Sequence, residues 1–193
     1  MRGPANDEAR VFLIEPIKVI GYHGTSSESA AKILTDGFRA STQDWEWLGR
    51  GAYFWQDAPY RAQSWAIERL GREGYTGPIA VVAAEILLAG FTDLLDKQGM
   101  GQLKEIAERY VASNQSLQNA GKANRLDCAV FNFATIVLQS KGVVVNGYRA
   151  ACVEGLPLTP GSPVHDLSHV QIVVIDESAI LRKWMVETDE KEL

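Results

Sequence analysis

The sequence predicts a single α+β domain. Apolar runs rich in β-branched residues fall early, midway and late in the chain. Segments of helical period cluster between those runs and do not alternate with them one for one, so the pattern is not the repeating βαβ of a parallel sheet. The 193 residues are 46% hydrophobic and 22% charged, the balance of a globular chain with a full core.

The elements follow in order. Residues 11–22, VFLIEPIKVIGY, are strand-like but broken by Pro16, which places a strand on 17–22. A helix follows at once, with Thr25 and Glu28 as a T-x-x-E capping box, Ala30, Ile33 and Leu34 at helical spacing, and Gly37 as the C-terminal stop. Residues 38–50 read as loop and carry Arg39, Trp45, Trp47 and Arg50. A short strand over 52–55 precedes a helix capped by Asp57, running to about Leu70 with Ala58, Ala62, Trp65 and Ala66 on one face. Residues 78–88, nearly all apolar, read as a central strand. Two more helices are expected over 98–112 and from Asp127 to Ser140, then strands over 148–153 and 170–175. Gly and Pro fill the turn between those strands. The chain ends, 1–10 and 187–193, are polar and expected to fray.

Composition narrows the function classes. A net charge of −5 gives no global basic footprint for nucleic acid or anionic membrane. No apolar run approaches the roughly 20 residues of a membrane helix, and the charged N-terminus is not a signal peptide, so the expected location is the cytoplasm. The two cysteines, Cys128 and Cys152, lie far apart without metal spacing and suit burial or a reducing compartment.

Two short motifs carry the chemistry: Gly21-Tyr22-His23-Gly24-Thr25, where a strand gives way to a helix, and Gly49-Arg50-Gly51-Ala52-Tyr53-Phe54-Trp55. His23 offers an imidazole for a ribose hydroxyl. Gly24, lacking a side chain, lets a ligand approach its N–H and C=O together, the donor and acceptor that a carboxamide needs. Tyr53 and Trp65 offer faces for a flat ring. Arg39 and Arg50 offer phosphate contacts. Taken one at a time, these residues have ordinary readings: a capping histidine, core aromatics and solvated loop charges.

Together, YHGT, a helix, a loop, GRGAYF and a helix bearing a second aromatic resemble the ADP-ribosyltransferase fold. The pattern is similar to the branch containing the poly(ADP-ribose) polymerases and the diphtheria-toxin-like toxins, in which His and Tyr open an H-Y-E triad. The resemblance implies split antiparallel sheets around an NAD cleft. His23 would hold the adenosine-side ribose. Gly24, beside Thr25, would bind the nicotinamide carboxamide, and Tyr53 and Trp65 would sandwich the ring, so that imidazole and phenol face one slot. GFRASTQD resembles a segment of the diphthamide-modifying toxins, which implies Arg39 near the phosphates. The third motif aligns with His169-Val170-Gln171-Ile172-Val173-Val174-Ile175-Asp176 and puts Gln171 at the Glu position. Gln keeps a hydrogen bond to the nicotinamide ribose but lacks the carboxylate charge. His169 shares the face of Gln171 and is a candidate to supply what is missing, as hydrogen-bond donor or proton acceptor.

The implied activity is mono-ADP-ribosyl transfer from NAD to an unidentified macromolecular acceptor, protein or nucleic acid, with no metal. A bacterial toxin, effector or defence protein is the role that fits, and a cognate inhibitor or antitoxin would be the partner of a toxin. NAD hydrolysis and non-catalytic NAD binding are the alternatives. Transfer of an RNA 2′-phosphate to NAD lacks its pattern of basic residues here.

Overall fold

Strand β1 (Lys18–Ser26) and strand β3 (Ile79–Leu87) pair antiparallel along their whole lengths, Lys18 opposite Leu87 and Ser26 opposite Ile79. The computed structural model describes residues 17–187 apart from 115, 121 and 122. The expectations for 1–10 and most of the C-terminal tail therefore lie outside the described residues.

The long pairing moves the first helix. Because the ladder holds β1 to Ser26, Thr25 is still strand, and α1 (Ser27–Asp36) is capped by Ser26, whose hydroxyl accepts from the Ser29 N–H at 3.2 Å. The expected Thr25–Glu28 box is not formed. Gly37 ends the helix at φ 92°, as expected of a residue without a Cβ. Strand β2 (Ala52–Gln56) leads into α2 (Pro59–Arg72). Asp57 does not cap α2. It sits at φ 52° in the connection, and Ala58 is the N-cap, with no side-chain bond, ahead of Pro59.

Strand β4 (Phe91–Asp93), helices α3 (Lys97–Ser113) and α4 (Arg125–Ser140), and strands β5 (Gly147–Cys152), β6 (His169–Val174) and β7 (Ile180–Val186) complete the described chain. Asp127 does not cap α4. The Asn119 side chain reaches across the preceding loop and accepts from the N–H groups of Leu126 (2.9 Å) and Asp127 (3.1 Å).

The described strands form one seven-stranded sheet in the order β4-β5-β6-β2-β1-β3-β7. The α+β class holds. The expected pair of wholly antiparallel sheets does not: β4 runs parallel to β5, and the strands are joined throughout. The join between β1 and β2 is narrow, however, confined to Gly21–Gln56 and Tyr22–Trp55. Beyond it β1 follows β3 while β2 follows β6.

Antiparallel partners point to the same face. One face carries the row Tyr22, Trp55, Gln171 and Ala150, with Tyr53, Val173 and Tyr148 in the next row. On this tryptophan face, Tyr53 and Tyr148 pack with α3 and α4 around Ile106, Phe131 and Leu138. Trp55 packs there against Ala62 of α2 and Val81. The other face, the phenylalanine face, buries Val19, Phe54, Ala84, Ile86 and Ile172 in one cluster with Phe38 and Phe91 against it. That cluster spans the narrow join.

Candidate functional site

The site begins where the ladder between β1 and β2 stops. The Ile20 carbonyl accepts from the Asp57 N–H at 2.9 Å, so the peptide groups of Ile20, Tyr22 and Gly24 all point toward β2. In a continued ladder Gly24 would stand opposite Tyr53. Instead, His23 Nδ1–H donates to the Tyr53 carbonyl at 2.8 Å, the bond that a strand partner would have made. The imidazole ends the ladder and leaves the Gly24 N–H and C=O directed toward β2 without a ladder partner on that side, in a residue that is itself buried.

This bond also fixes the histidine tautomer. Nδ1 must carry the hydrogen, because a carbonyl only accepts, so the lone pair is on Nε2. Burial holds the His23 pKa below the ordinary histidine value, against the opposing pull of the Tyr53 bond and with help from the Arg69 charge. The ring lies edge-on to Phe38 at 5.5 Å and tilted to Phe54 at 6.0 Å, on the phenylalanine face.

Tyr53 does not face His23. It lies on the opposite face of the sheet because Tyr22, not His23, is in phase with Trp55 and hence with Tyr53. Its ring is buried among residues of α3 and α4. Its hydroxyl donates to the Gly49 carbonyl at 2.6 Å and accepts from the Leu48 N–H at 3.1 Å. Burial, then the Glu46 charge, pushes the phenol pKa far above its usual range. This tyrosine ties the 38–50 loop to the sheet, and the expected imidazole–phenol slot is not present.

The aromatic surface nearest Gly24 comes from other residues. Trp55 and Trp65 lie 5.0 Å apart, centroid to centroid, and His169 lies 6.0 Å from Trp55. The Arg69 guanidinium lies 5.1 Å over Trp65. Helix α2, which carries Trp65, rests on Gly24 so closely that a Cβ there would be 2.0 Å from the Ala62 carbonyl oxygen. Gly24 is therefore needed for packing as well as for any approach of a ligand to its backbone. The indole N–H of Trp55 is buried and makes no hydrogen bond.

Gln171 is buried at the start of β6, and its side-chain oxygen accepts from the Trp47 indole N–H. Trp47, which the sequence places only on the 38–50 loop, thus orients this amide across a separation that no local pattern could reveal. His169 shares the face of Gln171, as its spacing predicts, and donates Nδ1–H to the Leu167 carbonyl at 2.8 Å. Thr25 is buried at the end of β1, while Arg39 and Arg50 are exposed. A separate depression of about 440 Å³ lies at the C-terminal end of α1, lined by Thr35, Gly37, Glu177 and Arg182 among others, and includes none of the motif residues.

No protein-family model matches the chain, and comparison with curated proteins gives no match.

Proposed function

We propose that the protein binds NAD where the β1–β2 ladder ends, beside Gly24, and is a mono-ADP-ribosyltransferase with the ADP-ribosyltransferase fold. One observation carries the reading. The imidazole of His23 takes the place of a strand partner at the Tyr53 carbonyl, and so frees the donor and acceptor of Gly24 where the sheet parts. A carboxamide satisfies both groups at once, and a nicotinamide ring bound there would lie under the helix that bears Trp65. The three motif strands, β6, β2 and β1, are neighbours at the middle of the sheet.

In this reading the amide of Gln171, on the tryptophan face, hydrogen-bonds the ribose that loses nicotinamide, while His23, on the other face, holds the Tyr53 carbonyl and keeps the ladder from closing over Gly24. Leaving-group departure builds positive charge on that ribose. Gln171 supplies a dipole there and no charge, so a slow reaction is expected. A macromolecular nucleophile then takes the ADP-ribose.

The buried phenol and the uncharged Gln171 favour one rival, an NAD-binding module without catalysis. One set of measurements separates the two. Addition of nicotinamide to ¹⁵N-labelled protein should shift the Gly24 amide resonance, and an unmoved Gly24 rejects the carboxamide assignment. Nicotinamide release from NAD is then followed with and without candidate acceptors. Release that requires an acceptor supports transferase, release in buffer supports a glycohydrolase, and binding without release supports the module. Gln171→Glu should raise release by about 10-fold or more, because it restores charge at the ionising ribose.

A further inference from the structure

We propose that Cys152, Glu154 and His169 form a binding site for a divalent transition metal of the zinc class. Cys152 and His169 are direct register partners across β5 and β6, and Glu154 follows two residues after Cys152 at the same end of the hairpin. One potential ligand atom from each residue lies within 4.8 Å of the other two. A thiolate, an imidazole nitrogen and a carboxylate oxygen are a zinc donor set, with water as the usual fourth ligand. At metal–ligand distances of about 2.0–2.3 Å, tetrahedral donors lie roughly 3.3–3.8 Å apart, so closure needs about an ångström of side-chain movement.

Two further observations point to a ligand. The Leu167 carbonyl holds the Nδ1–H of His169, which puts the lone pair on Nε2, and Nε2 is buried without a hydrogen-bond partner. A buried acceptor left in this state is costly, and a metal ion satisfies it. Arg61 Nη2 donates to Glu154 Oε2 at 2.7 Å, which orients the carboxylate and leaves Oε1 for the ion. A carbonyl behind the histidine and a donor behind the carboxylate are the outer bonds that metal ligands ordinarily carry. The Arg61 charge opposes a dication, and the thiolate and carboxylate offset that charge. The site is two residues along β6 from Gln171, yet it does not depend on the NAD reading.

The test uses the full chain, stripped with a chelator, kept reduced without added thiols and titrated with Co²⁺. One equivalent should produce a thiolate-to-cobalt charge-transfer band together with the intense visible absorption of a four-coordinate centre. Zn²⁺ should displace it. Cys152→Ser should abolish the charge-transfer band, His169→Ala should weaken binding at least 10-fold, and Cys128→Ser should change nothing. Wild-type protein without the band at one equivalent, or Cys152→Ser with the band intact, overturns the proposal. The wild-type titration alone can reject it, so misfolding of a variant does not protect it.

Discussion

His23 is a strand residue that uses its side chain as a backbone substitute. Its Nδ1–H occupies the Tyr53 carbonyl, and its ring sits against Phe38 and Phe54. The charged form is disfavoured by burial, so its pKa in the folded state is below that of the unfolded chain. His169 is shifted in the same direction, with burial the largest cause. The sign follows from linkage. As pH falls from 7 through the ordinary histidine range, the unfolded chain takes up these protons first, and stability falls. The loss is complete only below the folded-state pKa values, and its slope is at most about 1.4 kcal/mol per pH unit for each histidine. Glu46, raised by burial, acts in the opposite sense at lower pH. Denaturant unfolding at pH 7 and pH 5 should therefore show a less stable protein at pH 5. His23→Asn keeps a donor toward Tyr53 without titrating, and the decline should be shallower. An equal decline in the variant would show that His23 does not carry the effect.

At the scale of elements, the contact that matters most is α2 on β1. Helix α2 lies against Gly24, and a methyl group added there would be 2.0 Å from the Ala62 carbonyl oxygen and 2.9 Å from the Ala66 Cβ. Neither backbone can yield locally, so the helix must shift. Gly24→Ala should cost about 3 kcal/mol or more, at the upper end for overpacking, read from the denaturation midpoint. A change of a few tenths would mean that α2 does not rest on this strand. The elements themselves were largely legible. The runs at 17–22 and 78–88 became β1 and β3 because both are β-branched and buried, and Gly37 stopped α1 where expected. Strand β7, ILRKWMV, gave no apolar alternation because it is an edge strand and half exposed, and β4 is only three residues long. Register was the hidden quantity. The pairing of Tyr22 with Trp55 decides that His23 and Tyr53 take opposite faces, and the pairing of Cys152 with His169 brings together residues far apart in sequence. The strands could be read from the sequence, but one residue of phase separates the expected slot from the arrangement observed.

Among the described residues, the sheet is joined across its narrowest point by apolar clusters on both faces. Between β1 and β2 the ladder is two residue pairs long, and by itself would let the β1-β3-β7 half move against the β2-β6-β5-β4 half. Clusters on both faces oppose this, the larger on the phenylalanine face. Phe54 is fully buried and belongs to β2, yet its cluster includes Val19 and Ile86 of β1 and β3 as well as Ile172 of β6. Two consequences are expected. The described sheet should unfold as one unit, with circular dichroism and tryptophan fluorescence giving the same midpoint. Phe54→Ala should cost about 3–5 kcal/mol, since it removes a fully buried ring from a cluster that bridges the halves. If that cluster is the coupling, the variant should also separate the two transitions, because tryptophan fluorescence is dominated by side-chain packing around β2, β7 and α2 while circular dichroism reports on the backbone of every element. A variant that loses stability yet keeps coincident transitions would assign the coupling to Trp55 and α2 on the opposite face instead.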